Sequence, residues 1–201
     1  MLRKTHNNGE TMAEKTPQSD PSQRRLAAEH FLAGVEQRAL RMAVIATRQR
    51  DESMDIVQDT MMAWVSHYLD HPQDAWKPLF YKVLQSRIRD WQRRTMVRRR
   101  VMTWFGRRDD DGEEHLDELD LIADPRAADP AGTVAQHQAL EKLLHALQRL
   151  PLRQQQAFML RSWEGLDVAE TALAMGCSAG SVKTHLSRAM SSLREAIGDC
   201  L

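Results

Sequence analysis

The chain has 201 residues, equal numbers of basic and acidic side chains, 42% apolar residues and only 5% aromatic ones. That apolar share supports one helical domain or two small ones, and no stretch approaches the roughly 20 apolar residues needed to cross a bilayer. No alternating run of β-branched residues appears and few Gly or Pro interrupt the periodic segments, so the expected class is all-α.

The zero net charge hides a separation along the chain. Lys82 to Arg108 holds ten basic residues and one acidic residue, Asp90, whereas Asp109 to Asp129 holds ten acidic residues and one basic residue, Arg126. A basic block followed by an acidic block points to an anionic partner for the first. The two cysteines, Cys177 and Cys200, lack metal-ligand spacing, which fits a reducing cytoplasmic compartment.

Residues 1–22 are polar, without the apolar core of a secretion signal, and read as a disordered tail; Met12 is a second possible start. From about Gln23 to Arg48 a helical stripe carries Leu26, Phe31, Val35, Met42 and Ile45. Asp51 is placed to cap a second helix with Val57, Met61, Trp64 and Tyr68 inward. Asp70 to Asp74 reads as a loop, and Asp74 as the cap of a long third helix whose apolar face is Leu79, Phe80, Val83, Leu84, Ile88 and Trp91. Pro78 falls early enough in that helix for its missing N–H to be tolerated. These helices define a first domain over 23–105.

Residues 106–132 are acidic, contain Pro125 and Pro130, and read as a flexible linker. A second domain over 133–201 follows. It begins with a helix turning Leu140, Leu143, Leu144 and Leu147 inward and continues with another from about Leu152 to Trp163. Asp167 and Glu170 have capping-box spacing, Gly176 suits a left-handed helix end, and Ser178 caps the last helix. Val182, Leu186, Ala189 and Leu193 form the inner face of that helix, and Ser181, Lys183, Thr184, His185, Ser187 and Arg188 the outer one. Two helices joined this tightly, the second rich in donors, read as a helix-turn-helix whose last helix enters a DNA major groove. A plain helical bundle with solvated cations is the bland alternative.

Leu150-Pro151, Glu164-Gly165-Leu166, Gly176-Cys177-Ser178, Gly180-Ser181-Val182-Lys183 and Leu186-Ser187-Arg188-Ala189 together resemble region 4 of extracytoplasmic-function (ECF) sigma factors of the sigma-70 family. Glu52 to Thr60 is similar to their region 2.2, and Trp76 to Arg94 to regions 2.3 and 2.4. The resemblance implies a two-domain factor that binds core RNA polymerase and directs promoter-specific initiation. In that picture Asp55, Gln58, Asp59 and Met62 meet polymerase. His71, Gln73, Tyr81, Ser86, Arg87, Arg89, Arg93 and Arg94 meet the −10 element. The outer-face residues of the last helix meet the −35 element.

Strand capture needs cations for phosphates and planes or pockets for unstacked bases; Tyr81, Trp91 and Trp104 are the candidate planes, though the place of Trp91 on its helix favours a core role over a base platform. Two departures leave the captured base open: Ser86 stands where the family usually has a pocket asparagine, and Leu79 where tryptophan is common. In the family the linker threads polymerase channels, so the acidic residues from Asp109 to Asp120 are expected to mimic phosphates. An anti-sigma factor is a further partner of the family, though nothing in this sequence identifies one.

No Gly-rich phosphate loop, clustered metal ligands or nucleophile motif is present, so no catalytic residue, metal, cofactor or small-molecule substrate is expected. His67 and His71 are four apart, but Pro72 and the lack of a third ligand make them unrelated surface histidines. The competing function is a stand-alone helix-turn-helix regulator that binds duplex DNA without polymerase.

Overall fold

Asp20 opens the first helix: its side chain accepts the Ser22 N–H at 3.2 Å, and Pro21 fills the position where a missing N–H costs nothing. This helix, α1, runs Pro21–Thr47 in a computed structural model that describes residues 20–104 and 134–198, apart from the side chains at 99, 102–104, 134–138 and 197. The first helix therefore begins inside the segment 1–22 read as a tail. The rest of the tail, the acidic linker and Cys200 lie outside the described residues.

Helix α2 spans Arg50–Tyr68 and α3 spans Gln73–Trp104. Both begin slightly before the expected caps, so Asp51 and Asp74 sit in first turns. There their charge favours the positive helix end without capping it. The sharp α1–α2 corner is held by hydroxyls instead. Thr47 Oγ1 lies 2.7 Å from Ser53 Oγ, and Ser53 Oγ donates to the Gln49 carbonyl at 2.6 Å.

The core of this first half is aromatic. Phe31 packs on Trp64 at 5.0 Å between ring centroids, Trp64 on Trp76 at 5.2 Å, and Phe31 edge-on to Phe80 at 5.9 Å. Val57, Leu84 and Ile88 complete it. Trp76 is a core residue absent from the predicted apolar face. Trp91 is half-buried, and its indole N–H donates to Glu52 Oε2 at 2.9 Å, tying α3 to the start of α2.

The second half comprises α4 (Val134–Arg149), α5 (Leu152–Phe158) continuing into a π-helical turn (Met159–Trp163), α6 (Val168–Met175) and α7 (Ala179–Ile197). Leu144, Leu147, Met159, Leu160, Val182, Ala189 and Leu193 are its buried centre, with Leu140, Leu143 and Leu186 packed beside them. Every described element is helical or a turn, in keeping with the all-α expectation.

The two halves pack on each other, chiefly through α3 against α6 and α1 against α4. Arg48 donates to the Gln148 carbonyl at 3.1 Å, and the Gln155 amide to the Ile45 carbonyl at 3.4 Å. Arg89 Nη1 donates to the Met175 carbonyl at 3.2 Å.

Candidate nucleic-acid interface

The turn between α6 and α7 is built from local chemistry. Asp167 Oδ1 accepts the Glu170 N–H at 2.8 Å while Glu170 Oε2 accepts the Asp167 N–H at 2.7 Å, so the capping box read from the sequence is closed on both sides. Gly176 takes φ 63°, the left-handed end that a side chain would strain, and Ser178 Oγ accepts the Ser181 N–H at 3.1 Å to start α7.

The buried stripe of α7 is Val182, Ala189 and Leu193, with Leu186 half-buried, which turns Lys183, Thr184, Ser187 and Arg188 into solvent. At 100° per residue Thr184 and Ser187 lie near the middle of the exposed arc, with Lys183 and Arg188 on its two edges. Two cations flanking two short polar groups match a groove, where phosphates lie to either side and base edges between. The hydroxyl of Thr184 donates within the helix to the Gly180 carbonyl at 3.0 Å, leaving its methyl and lone pairs outward. Ser181 and His185 are half-buried, and Ser181 is engaged with Ser178.

On α2, Asp55, Gln58, Asp59 and Met62 are all exposed and, spaced three, one and three apart, share one face; Met62 is 62% exposed. This face mixes acceptors with one exposed apolar side chain, chemistry compatible with a partner that is basic and partly apolar.

On α3, residues 82, 86, 89, 93 and 100 form one stripe at helical spacing, with Arg87 and Arg94 beside it. Arg93, Arg94 and Arg100 are exposed, and Ser86, Arg87 and Arg89 half-buried. Arg93 pairs with Asp90 at 3.2 Å, and Arg87 reaches Asp59 on α2 at 3.6 Å. His71 and Gln73 are exposed in and beside the α2–α3 loop, with the His71 ring 5.4 Å from Tyr68.

Tyr81 departs from expectation: it is fully buried, so it offers no plane to a base in this conformation. It lies on the stripe of Leu84 and Ile88, three and seven residues on, and packs edge-on to Phe80 at 5.5 Å. Burial, and then the neighbouring Glu164 carboxylate, push its phenol well above the usual tyrosine range. Trp104 belongs to α3, but its side chain lies outside the described residues. Arg89 is also constrained: burial, then the Arg153 guanidinium, hold its pKa below the ordinary arginine value.

Sequence reasoning named Glu164 only as part of a motif. Its carboxylate is 1% exposed, with Arg38 Nε at 3.3 Å and Lys77 Nζ at 3.5 Å. Among the described residues no cluster of three His, Cys, Asp or Glu is placed to hold a metal, and no helix is long and apolar enough to cross a membrane.

Comparison with known proteins bears on the whole arrangement. The family "Sigma-70, region 4" matches residues 140–193, the helices that include the turn just described. The chain is 34% identical over 116 residues to the RNA polymerase sigma-E factor of Streptomyces antibioticus, covering 56% of this chain and 59% of that one. It is 30% identical over 142 residues to RNA polymerase sigma factor NccH of Alcaligenes xylosoxydans xylosoxydans, covering 69% of each. The chain thus spans about six tenths of the sigma-E relative's length. Among solved structures, sigma factor RpoE in complex with anti-sigma factor NepR, from Bartonella quintana, superposes with a TM-score of 0.59 at 23% identity, over 86% of this chain and 99% of that one. CnrH in complex with the cytosolic domain of CnrY gives 0.52 at 20% identity, over 87% and 92%. At these identities the structures speak for the fold.

Proposed function

The chain belongs to the sigma-70 family of RNA polymerase sigma factors, in its extracytoplasmic-function branch, and from that premise we propose that it directs core RNA polymerase to specific promoters in the cytoplasm. In this reading residues 23–105 dock on polymerase and engage the −10 element, residues 106–132 connect, and residues 133–201 read the −35 element. The observation that carries it is the exposed arc of α7, where Lys183 and Arg188 flank Thr184 and Ser187 beyond a fully capped turn. Phosphate contacts from the two cations set register, and the central polar groups meet base edges.

Asp55, Gln58, Asp59 and Met62 supply the polymerase contact. Arg87, Arg89, Arg93 and Arg94 hold the strand backbone of the opened −10 element, while His71, Gln73 and Ser86 border the site of an unstacked base. Extruding that base costs a few kcal/mol, which the phosphate contacts offset. The chain itself makes no bonds; polymerase performs the chemistry. An anti-sigma partner, as in the RpoE–NepR and CnrH–CnrY complexes, is the expected means of holding it inactive.

A stand-alone regulator would need only the helix-turn-helix. The likeness to NccH runs over 142 residues, far beyond the region 4 match, and favours the sigma reading. Reconstitution decides between them. Run-off transcription from genomic fragments should appear only when the chain and core polymerase are both present. Tight duplex binding by the chain alone, with no change in polymerase start sites, would overturn the proposal.

A further inference from the structure

Glu164 sits where the two halves meet, and three features converge on it. It closes the π-helical turn, its N–H bonding the Met159 carbonyl at 3.1 Å, and Gly165 follows at φ 66°, so the backbone is locally widened and then reversed at this residue. Such π-helical turns occur frequently at functional positions. Its carboxylate reaches across from the second half to two cations of the first, Arg38 of α1 and Lys77 of α3. Lys77 also donates to the Glu164 carbonyl, and the buried Tyr81 lies beside the same carboxylate.

A carboxylate this buried is tolerable only while its cations stay in place; removing them in the closed form leaves an uncompensated charge. Arg38 and Lys77 keep 44% and 37% of their side chains in water, so they gain little hydration when the halves part. Of these three charged groups, Glu164 is the one that would gain most hydration on separation of the halves.

We propose that Glu164 is a latch that holds the −35-reading half against the −10-reading half, and that its release precedes promoter engagement. The first argument is reach. Elements named for positions −10 and −35 lie roughly 25 base pairs apart, or about 85 Å at 3.4 Å per step. A closed body of this many residues is only roughly 40 Å across. A stretch of the length of residues 105–133 can span up to roughly 95 Å when extended, enough for separated halves.

The second argument is an asymmetry in what the closed form shows. Lys183 and Arg188 face solvent, whereas Arg89 of the −10 stripe is committed to the Met175 carbonyl at the end of α6, which Arg153 also meets at 2.6 Å. A guanidinium bound to the negative end of a helix is withheld from a phosphate. The closed form thus presents the recognition helix and withholds part of the strand-capture surface. The withheld-DNA consequence rests on the sigma-factor reading; the latch does not, and it is tested without polymerase.

The full chain, with Cys177→Ser and Cys200→Ser, carries spin labels at Ser66→Cys and Ser192→Cys, both exposed positions in opposite halves. Pulsed electron paramagnetic resonance should give a short, narrow distance distribution. Glu164→Gln should add a longer, broader component, and Glu164→Lys, which sets three cations together, should make that component dominant. Combining Glu164→Lys with Arg38→Glu and Lys77→Glu should restore the short distance. Far-UV circular dichroism monitors folding; if Glu164→Lys loses its helical signal, Lys77→Met on the other half must lengthen the distance instead. A single-stranded oligonucleotide of mixed sequence should bind the Glu164→Gln chain more tightly, by the factor by which the open population rises. An unchanged distance in a folded Glu164→Lys chain, or a lengthening that the reversed pair does not rescue, would each overturn the latch; an unchanged oligonucleotide affinity beside a lengthened distance would overturn its link to strand capture.

Discussion

Replacing Lys183 and Arg188 together with alanine tests the −35 assignment most directly, because it removes the two edges of the α7 arc while leaving its buried stripe untouched. Both side chains are exposed, so the fold loses little; surface changes of this kind usually stay within about 0.5 kcal/mol. Each phosphate contact contributes about 0.9 to the slope of log affinity against log salt, so losing both should flatten that slope by about 1.8. At about 0.1 M salt, one decade below the 1 M reference, the same loss corresponds to roughly 60-fold in affinity, or about 2.4 kcal/mol. The assay is fluorescence anisotropy of labelled promoter duplex with chain and core polymerase, titrated from about 50 to 300 mM salt. Polymerase binding, measured separately, should be unchanged. A weakened affinity with an unaltered slope would refute the reasoning, since it would mean the cations do not neutralise phosphates. Equal loss of polymerase binding would refute the division of labour between the halves.

Asp167→Ala removes the carboxylate that accepts the Glu170 N–H, leaves the return bond from the backbone N–H of residue 167 in place, and should cost roughly 1–2 kcal/mol, lowering the thermal midpoint by about 2–8 °C, with Asp167→Asn nearly neutral. A melt within 1 °C of the parent would show that the cap is unimportant. Asp55→Ala with Asp59→Ala should weaken polymerase binding about tenfold, about 1.4 kcal/mol, at unchanged midpoint, read by surface plasmon resonance. Tyr81 has a raised folded-state pKa, so its contribution to stability is intact below about pH 10 and lost as the pH rises past it. The chain has two tyrosines, and the phenolate absorbance of Tyr81 should appear only as the helices melt, a phase that Tyr81→Phe should abolish. Phenolate formation from Tyr81 while the helical signal is intact would contradict the burial. Trp64→Ala should cost about 3–5 kcal/mol by opening a cavity among Phe31, Trp76 and Val57; denaturant unfolding measures it, and a loss under 1 kcal/mol would place Trp64 outside the core.

Which parts of this protein were legible follows from the range of the forces involved. The α6–α7 turn could be read residue by residue because caps act across three positions and a left-handed glycine across one: Asp167 with Glu170, Gly176, and Ser178 with Ser181 all pair within the window that the eye scans. Asp51 and Asp74 failed by a position or two, since a carboxylate in the first turn gains nearly as much from the helix end as one in the cap, and hydroxyls at Thr47 and Ser53 settled the corner instead. Tyr81 was readable and misread. Its spacing to Leu84 and Ile88 sets it on the core stripe, and that register, rather than the polarity of its ring, decides where it lies. Glu164 belongs to another class. Nothing within several residues of it reports a need for cations, because Lys77 lies 87 residues away and the need arises only when one half covers the other. Neutral net charge is uninformative for the same reason, averaging over a chain whose basic and acidic blocks lie apart. Local chemistry outlines the surfaces proposed to meet DNA; the contacts between the halves are long-range, and the buried Glu164 carboxylate between Arg38 and Lys77 is the form they take here.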